Sequence, residues 1–214
     1  MGEAFGILKE GWRPIAIYLF VFGLLGTALS LDRLGGVVMG FAFFAYFPAQ
    51  YWLYQQLLTA SNMGHDPRFR VFSLFFMAIL LFFPIMIAMN FLYIPGIILG
   101  AKWVMSPTFL IKGEGGVMDC IGASWRTSKE NTLALSLAFL AFSILGSVAL
   151  LLFSALGEGF AGFASDASRF AQSPIKGMAF SISLNVLPIL LMALSISAYR
   201  LLSDDTEQTA EVFA

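Results

Sequence analysis

One cysteine, one histidine and few charges are the scarcities that bound this chain. Cys120 alone excludes an internal disulfide. With His65 as the single imidazole, no cluster of the thiolate and imidazole ligands that zinc takes can be assembled, so no metal site and no cofactor are expected. Charged side chains make up 12% of the 214 residues, 12 Lys and Arg against 13 Asp and Glu, for a net charge of -1. That leaves no basic stripe to neutralise a phosphodiester backbone, which argues against nucleic acid as a partner. Also missing are a phosphate-cradling glycine loop, a pair of catalytic carboxylates and a histidine base. No catalytic residue is therefore assigned, and the chain is expected not to be an enzyme. His65, beside Asp66 and Pro67, reads as a solvated loop residue.

What the chain has instead is hydrocarbon. Apolar residues are 59% of it and aromatics 15%, 23 of them Phe, at a mean hydropathy of +0.84. Soluble domains do not reach these values, so a membrane protein is expected. Glu3, Lys9, Glu10 and Arg13 all precede the first long apolar run, unlike a cleavable signal peptide, and the N-terminus is expected to be retained.

A hydrocarbon core of roughly 30 Å takes about 20 apolar residues per helical crossing, so charges and helix breakers divide the chain into spans. Six result, at about 14–31, 37–60, 71–93, 95–111, 131–156 and 175–202. Pro95-Gly96 is the expected break between the third and fourth, because proline removes a helix donor. The spans are apolar on every face rather than alternating, which fits an all-α, polytopic transmembrane helical bundle and not a barrel. Lys9, Arg13, Arg68, Arg70, Lys112, Arg126, Lys129 and Arg200 fall on one side, against Arg33, Arg169 and Lys176 on the other. The positive-inside rule then predicts cytoplasmic N- and C-termini in a bacterial inner membrane. The acidic stretch 203–214 reads as a short disordered tail.

Two cytoplasmic segments repeat a pattern. Phe5, Leu8 and Trp12 are followed by Arg13, and Met118, Ile121 and Trp125, at the same three-then-four spacing, by Arg126. Each predicts an amphipathic interfacial helix, 2–13 and 115–130, with tryptophan at the apolar boundary and arginine near lipid phosphate. Trp12, Arg13, Trp125 and Arg126 are thus candidate lipid-binding residues.

The run Pro95-Gly96, Leu99, Lys102-Trp103 and Pro107, followed by Glu114, Ser124-Trp125-Arg126 and Lys129-Glu130-Asn131, resembles the central signature of a bacterial multi-pass inner-membrane family. That family includes the membrane domain attached to some glycerophosphoryl diester phosphodiesterases and many stand-alone proteins. The resemblance covers about Tyr93 to Asn131 and implies six helices with interfacial segments. These 214 residues hold no phosphodiesterase domain, so that activity is not implied.

Lys102 is the one charge between Val71 and Ile111. It lies seven residues past Pro95, about 10 Å along a helix, where an unpaired ammonium costs about 2.5–3.5 kcal/mol. It is therefore expected to be paired, with backbone carbonyls or a loop carboxylate such as Glu158 or Asp166, or to hold a lipid phosphate or other anion together with Trp103. Pro107 frees the carbonyl of Trp103, and the Gly96–Gly100 spacing admits a close helix, as does Gly36–Gly40. Ser106 shares a helix face with Lys102, but no oxyanion-hole signature accompanies the pair. The chain is expected to work without chemistry of its own, as a lipid-associated or complex-organising subunit with membrane lipids and a protein partner or second copy. The alternative is a transporter or channel component for an anionic or lipid-like substrate. It rests on Lys102, on Gln50, Asn90 and Asn185 within spans, and on the bends expected at Pro84 and Pro188.

Overall fold

The computed structural model describes residues 2–29, 35–64, 70–91, 93–163 and 169–213, with backbone alone for 29, 35–41, 43, 160–163, 169–173 and 204–213. All regular structure among them is helical: α1 (Gly2–Glu10), α2 (Trp12–Leu29), α3 (Gly35–Ala60), α4 (Val71–Phe91), α5 (Tyr93–Trp103), α6 (Ser106–Lys112), α7 (Val117–Thr127), α8 (Thr132–Phe163) and α9 (Arg169–Phe213). Among the described residues four stretches are long and apolar enough to cross a membrane: Val71–Phe91, Tyr93–Lys112, Thr132–Gly159 and Pro174–Ser203. A fifth is added if α1 and α2, bent by 72° from each other, count as one span. Six crossings were expected from the sequence; four to five candidates are present.

Several boundaries differ from expectation, each for a local reason. The first interfacial helix ends at Glu10, not at 13, and Trp12 and Arg13 open α2. Pro14 has no N–H for the carbonyl of Glu10, so α1 cannot run on into α2, while the first turn of α2 accommodates proline. α4 ends at Phe91 and α5 begins at Tyr93, ahead of Pro95-Gly96, and Pro95 likewise sits in the first turn of its helix. Gly96 serves instead for contact: a Cβ there would stand 2.8 Å from the backbone nitrogen of Met89 in α4.

At the other end of the chain both helices outrun their predicted spans. The glycine-rich segment after 156 was expected to be a flexible loop or a re-entrant turn, yet α8 continues to Phe163. Packing against α9 outweighs the helix cost of these glycines, and Glu158 pairs with Lys176 of α9 at 2.7 Å. α9 starts at Arg169, takes in Pro174, and extends to Phe213, so 203–213 is helix rather than disordered tail. No glycine or proline follows Pro188 to stop it. The second interfacial helix is shorter than predicted, Val117–Thr127 within 115–130.

Three polar contacts gather the chain connections at one end of the bundle. Arg200 Nε lies 3.3 Å from Glu3 Oε1, Arg70 Nη1 donates to the carbonyl of Gly115 at 2.8 Å, and Lys112 Nζ donates to the Tyr199 hydroxyl at 2.7 Å. The same Tyr199 hydroxyl donates to Glu114. α1, the α6–α7 turn and the Arg200 region of α9 therefore share a face, with α2, α8 and α9 extending away from it.

α9 is the central helix, with Ala193 and Ile196 fully buried, and α2 and α8 pack along it. Within hydrocarbon its polar groups must be satisfied inside the protein. Tyr18 donates to Asn185 Oδ1 at 2.8 Å and Ser181 to the Phe22 carbonyl at 2.6 Å, joining α2 to α9. Ser195 meets Thr108 at 2.7 Å, and Thr108 meets the Tyr54 hydroxyl at 3.1 Å, joining α9, α6 and α3.

Candidate functional site

The site begins with a helix that breaks inside a span. Pro107 cannot donate to the residue four before it, and the α-helical pattern stops after Trp103, resuming at Ser106. In between, the Val104 N–H turns back to the carbonyl of Ala101 at 3.4 Å. The sequence pointed to a freed carbonyl at Trp103; the structure shows the neighbouring Lys102 carbonyl serving as acceptor. Ser124 donates to it at 2.7 Å and Ser128 at 3.4 Å, both from the segment around α7. Two serines four apart thereby fasten the interfacial helix to the break.

That fastening places Trp125 beside Lys102. The Lys102 ammonium lies 4.2 Å from the centroid of the Trp125 ring, within cation–π range. The Trp103 and Trp125 rings are 6.0 Å apart and tilted by 48°. Of the two carboxylates suggested by the sequence, Glu158 pairs with Lys176, and Asp166 lies outside the described residues. Among the described residues no carboxylate is within ion-pair distance of Lys102 or of the exposed Arg126. Ser106 Oγ is buried with no hydrogen-bond partner among the described residues, so Lys102 and Ser106 are not joined.

The two amphipathic helices dock differently from the reading of their bulky stripes. Phe5, Trp12, Met118 and Trp125 are exposed, whereas Ala4, Ile7 and Gly11 of the first segment and Cys120 and Ser124 of the second are buried. The bundle is contacted mainly one position earlier, by Ala4, Ile7 and Gly11 in the first segment and by half-buried Val117 with Cys120 and Ser124 in the second. Phe5, Trp12, Met118 and Trp125 turn outward, while Leu8 and Ile121 are half-buried against the core. Trp12 carries its own cation, with Arg13 Cζ 5.7 Å from its ring centroid. Lys102, Trp103 and Trp125 are thus brought together, and Trp12 with Arg13 forms a separate pair.

The proposed packing glycines have separate partners. Gly96 faces Met89 of α4, and a Cβ at Gly100 would lie 2.7 Å from the Phe139 ring of α8. Gly36 and Gly40 lie in α3, and their packing falls outside the described residues. The polar residues that suggested transport are engaged locally: Asn185 with Tyr18, Gln50 with Tyr18 and Tyr46, and Asn90 with the carbonyl of Met86 in its own helix.

Sequence reasoning named Ser124 only as part of the resembled signature and passed over Ser128, although their spacing of four puts both on one helix face. Nor did it find a cavity of about 450 Å³ bounded by α3, α4, α5, α6, α8 and α9. Trp103 and Gly100 line it together with Pro107, Leu81 and Phe139. Nearby, burial pushes the Cys120 thiol up to about 11; the Glu114 carboxylate adds to the rise, and the Arg70 guanidinium opposes it. Compared with protein-family models, curated proteins and solved structures, the chain matches none of them.

Proposed function

We propose that this is a six-pass protein of a bacterial inner membrane that holds an anionic phospholipid by its phosphate at Lys102, Trp103, Trp125 and Arg126, without chemistry of its own. In this reading α3 supplies the crossing beyond the candidate spans, and the end carrying Arg70, Lys112, Arg126 and Arg200 is cytoplasmic. Trp12 and Arg13 form a second headgroup contact. The resemblance to the bacterial membrane family noted above fits the same reading.

The observation that carries it is the state of Lys102. Its ammonium rests on an aromatic face, and among the described residues no carboxylate neutralises it. A cation kept in an otherwise apolar span, resting on an aromatic face and without a carboxylate among the described residues, fits an anion supplied by the surroundings, and lipid phosphate is the abundant one there. A lipid-associated role is favoured over a complex-organising one, because the Lys102 arrangement has a defined geometry.

The test is thermal unfolding in nanodiscs of phosphatidylglycerol or phosphatidylcholine. A ligand that binds only the native state raises its melting temperature, so the wild type should melt higher in the anionic lipid. Lys102→Met should remove most of that difference. Equal melting of the wild type in both lipids would contradict the proposal.

A further inference from the structure

The cavity and the Lys102–Trp125 pair share a residue. Trp103 lines the cavity and also stands 6.0 Å, ring to ring, from Trp125, which carries the Lys102 ammonium. A cation and an apolar chamber thus flank one tryptophan, which matches a ligand with an anion at one end and hydrocarbon at the other.

The dimensions narrow the choice. On α4 the lining runs from Leu74 to Met86, twelve residue steps, or about 18 Å of helix. One leaflet contributes about half of a 30 Å hydrocarbon core. Leu74 lies one turn from Arg70, whose guanidinium holds Gly115 in the turn leading into α7. The long axis therefore starts at the end of the bundle that carries the cation and runs inward for about one leaflet. The wall is also suitably apolar. The Tyr54 and Ser195 hydroxyls on it are engaged with Thr108, and Gln50 with Tyr18 and Tyr46, so they do not call for a polar ligand. A volume of about 450 Å³ lies in the range of small-molecule pockets.

We infer that this cavity is an acyl-chain slot, taking one chain of the same membrane phospholipid whose phosphate Lys102 holds. The inference rests on the headgroup reading given above. Headgroup and chain are then bound together, Trp103 serving as the wall between them. The protein would retain such a lipid as a bound ligand rather than exchange it like the general annulus.

The test fills the chamber and leaves the cation in place. Ala78 and Leu81 line it from α4, so Ala78→Phe and Leu81→Trp each occupy the slot. Wild type and variants are loaded with dioleoyl phosphatidylglycerol, exchanged into neutral detergent and weighed by native mass spectrometry. Size-exclusion elution and circular dichroism select variants that fold. Each folded cavity variant should retain about tenfold less lipid, while soluble dihexanoyl phosphatidylglycerol still protects it from thermal unfolding as it does the wild type. Retention of the long-chain lipid at wild-type levels in both variants would overturn the slot. So would unchanged lipid content with conversion of a dimer to monomers, which would assign the cavity to a second copy of the chain. Should Lys102→Met retain the lipid while Ala78→Phe loses it, the headgroup reading fails and the slot stands.

Discussion

Lys102 was legible because a charge inside an apolar run demands an explanation, and Trp103 and Trp125 because tryptophan marks interfaces. Their joining was not legible. It depends on two serine hydroxyls reaching a carbonyl more than twenty residues back, across a helix break. Ser124→Ala removes the shorter of these bonds and leaves a carbonyl with only the 3.4 Å contact from Ser128. It should cost about 1–3 kcal/mol in chemical or thermal unfolding, and Ser128→Ala should cost less. Cys120 offers an independent reading of the same helix. A thiol buried under α7 and pushed up to about 11 is neutral at pH 8, and its protonated form is the one the fold favours. That contribution is complete below the ordinary thiol value of 9.0 and declines as pH rises toward 11. Alkylation by iodoacetamide should therefore be slow at pH 8 in the folded protein, accelerate toward pH 11, and become fast at pH 8 once the protein is unfolded. Fast labelling of folded protein at pH 8 would show that α7 does not cover the thiol.

Among the elements, apolar length and charge placement located the helices well, while their ends obeyed terms that composition does not carry. Pro14 and Pro95 open their spans as expected, but from inside first turns that begin at Trp12 and Tyr93, because proline in a first turn loses no bond. Glycines near 157–162 look like a loop until α9 packs beside them, and α1 and α7 turn Phe5, Met118 and Trp125 outward and bury Ala4, Cys120 and Ser124 instead. Glycine spacing did predict close approach, but at two different neighbours. Gly96 faces backbone of Met89 and Gly100 faces a ring that can turn aside. Gly96→Ala should therefore destabilise more than Gly100→Ala, by about 1–3 kcal/mol for the former, read as a shift in melting temperature of each purified variant. The opposite order would mean that α4 yields more readily than Phe139.

For the whole molecule, hydropathy was enough to expect a helical chain with several candidate membrane spans, and the long-range contacts supplied what it lacked: which connections lie together. Glu3 with Arg200 and Arg70 with Gly115 place those groups at one end, while Glu158 with Lys176 ties the far ends of α8 and α9. In a Cys120→Ser background, Gly115→Cys and Glu158→Cys should react with an impermeant maleimide from opposite sides of the membrane. Gly115→Cys should label only from the cytoplasm, and labelling of both from one side would invalidate the six-pass topology.

The central claim is that a specific anionic lipid is held at Lys102. Its most direct test is native mass spectrometry of protein extracted from its own membrane in mild detergent, comparing wild type with Lys102→Met. The account predicts a bound anionic phospholipid on the wild type that is lost from the variant while the protein stays folded. The same lipid retained equally by both, or a wild type carrying none, would contradict it.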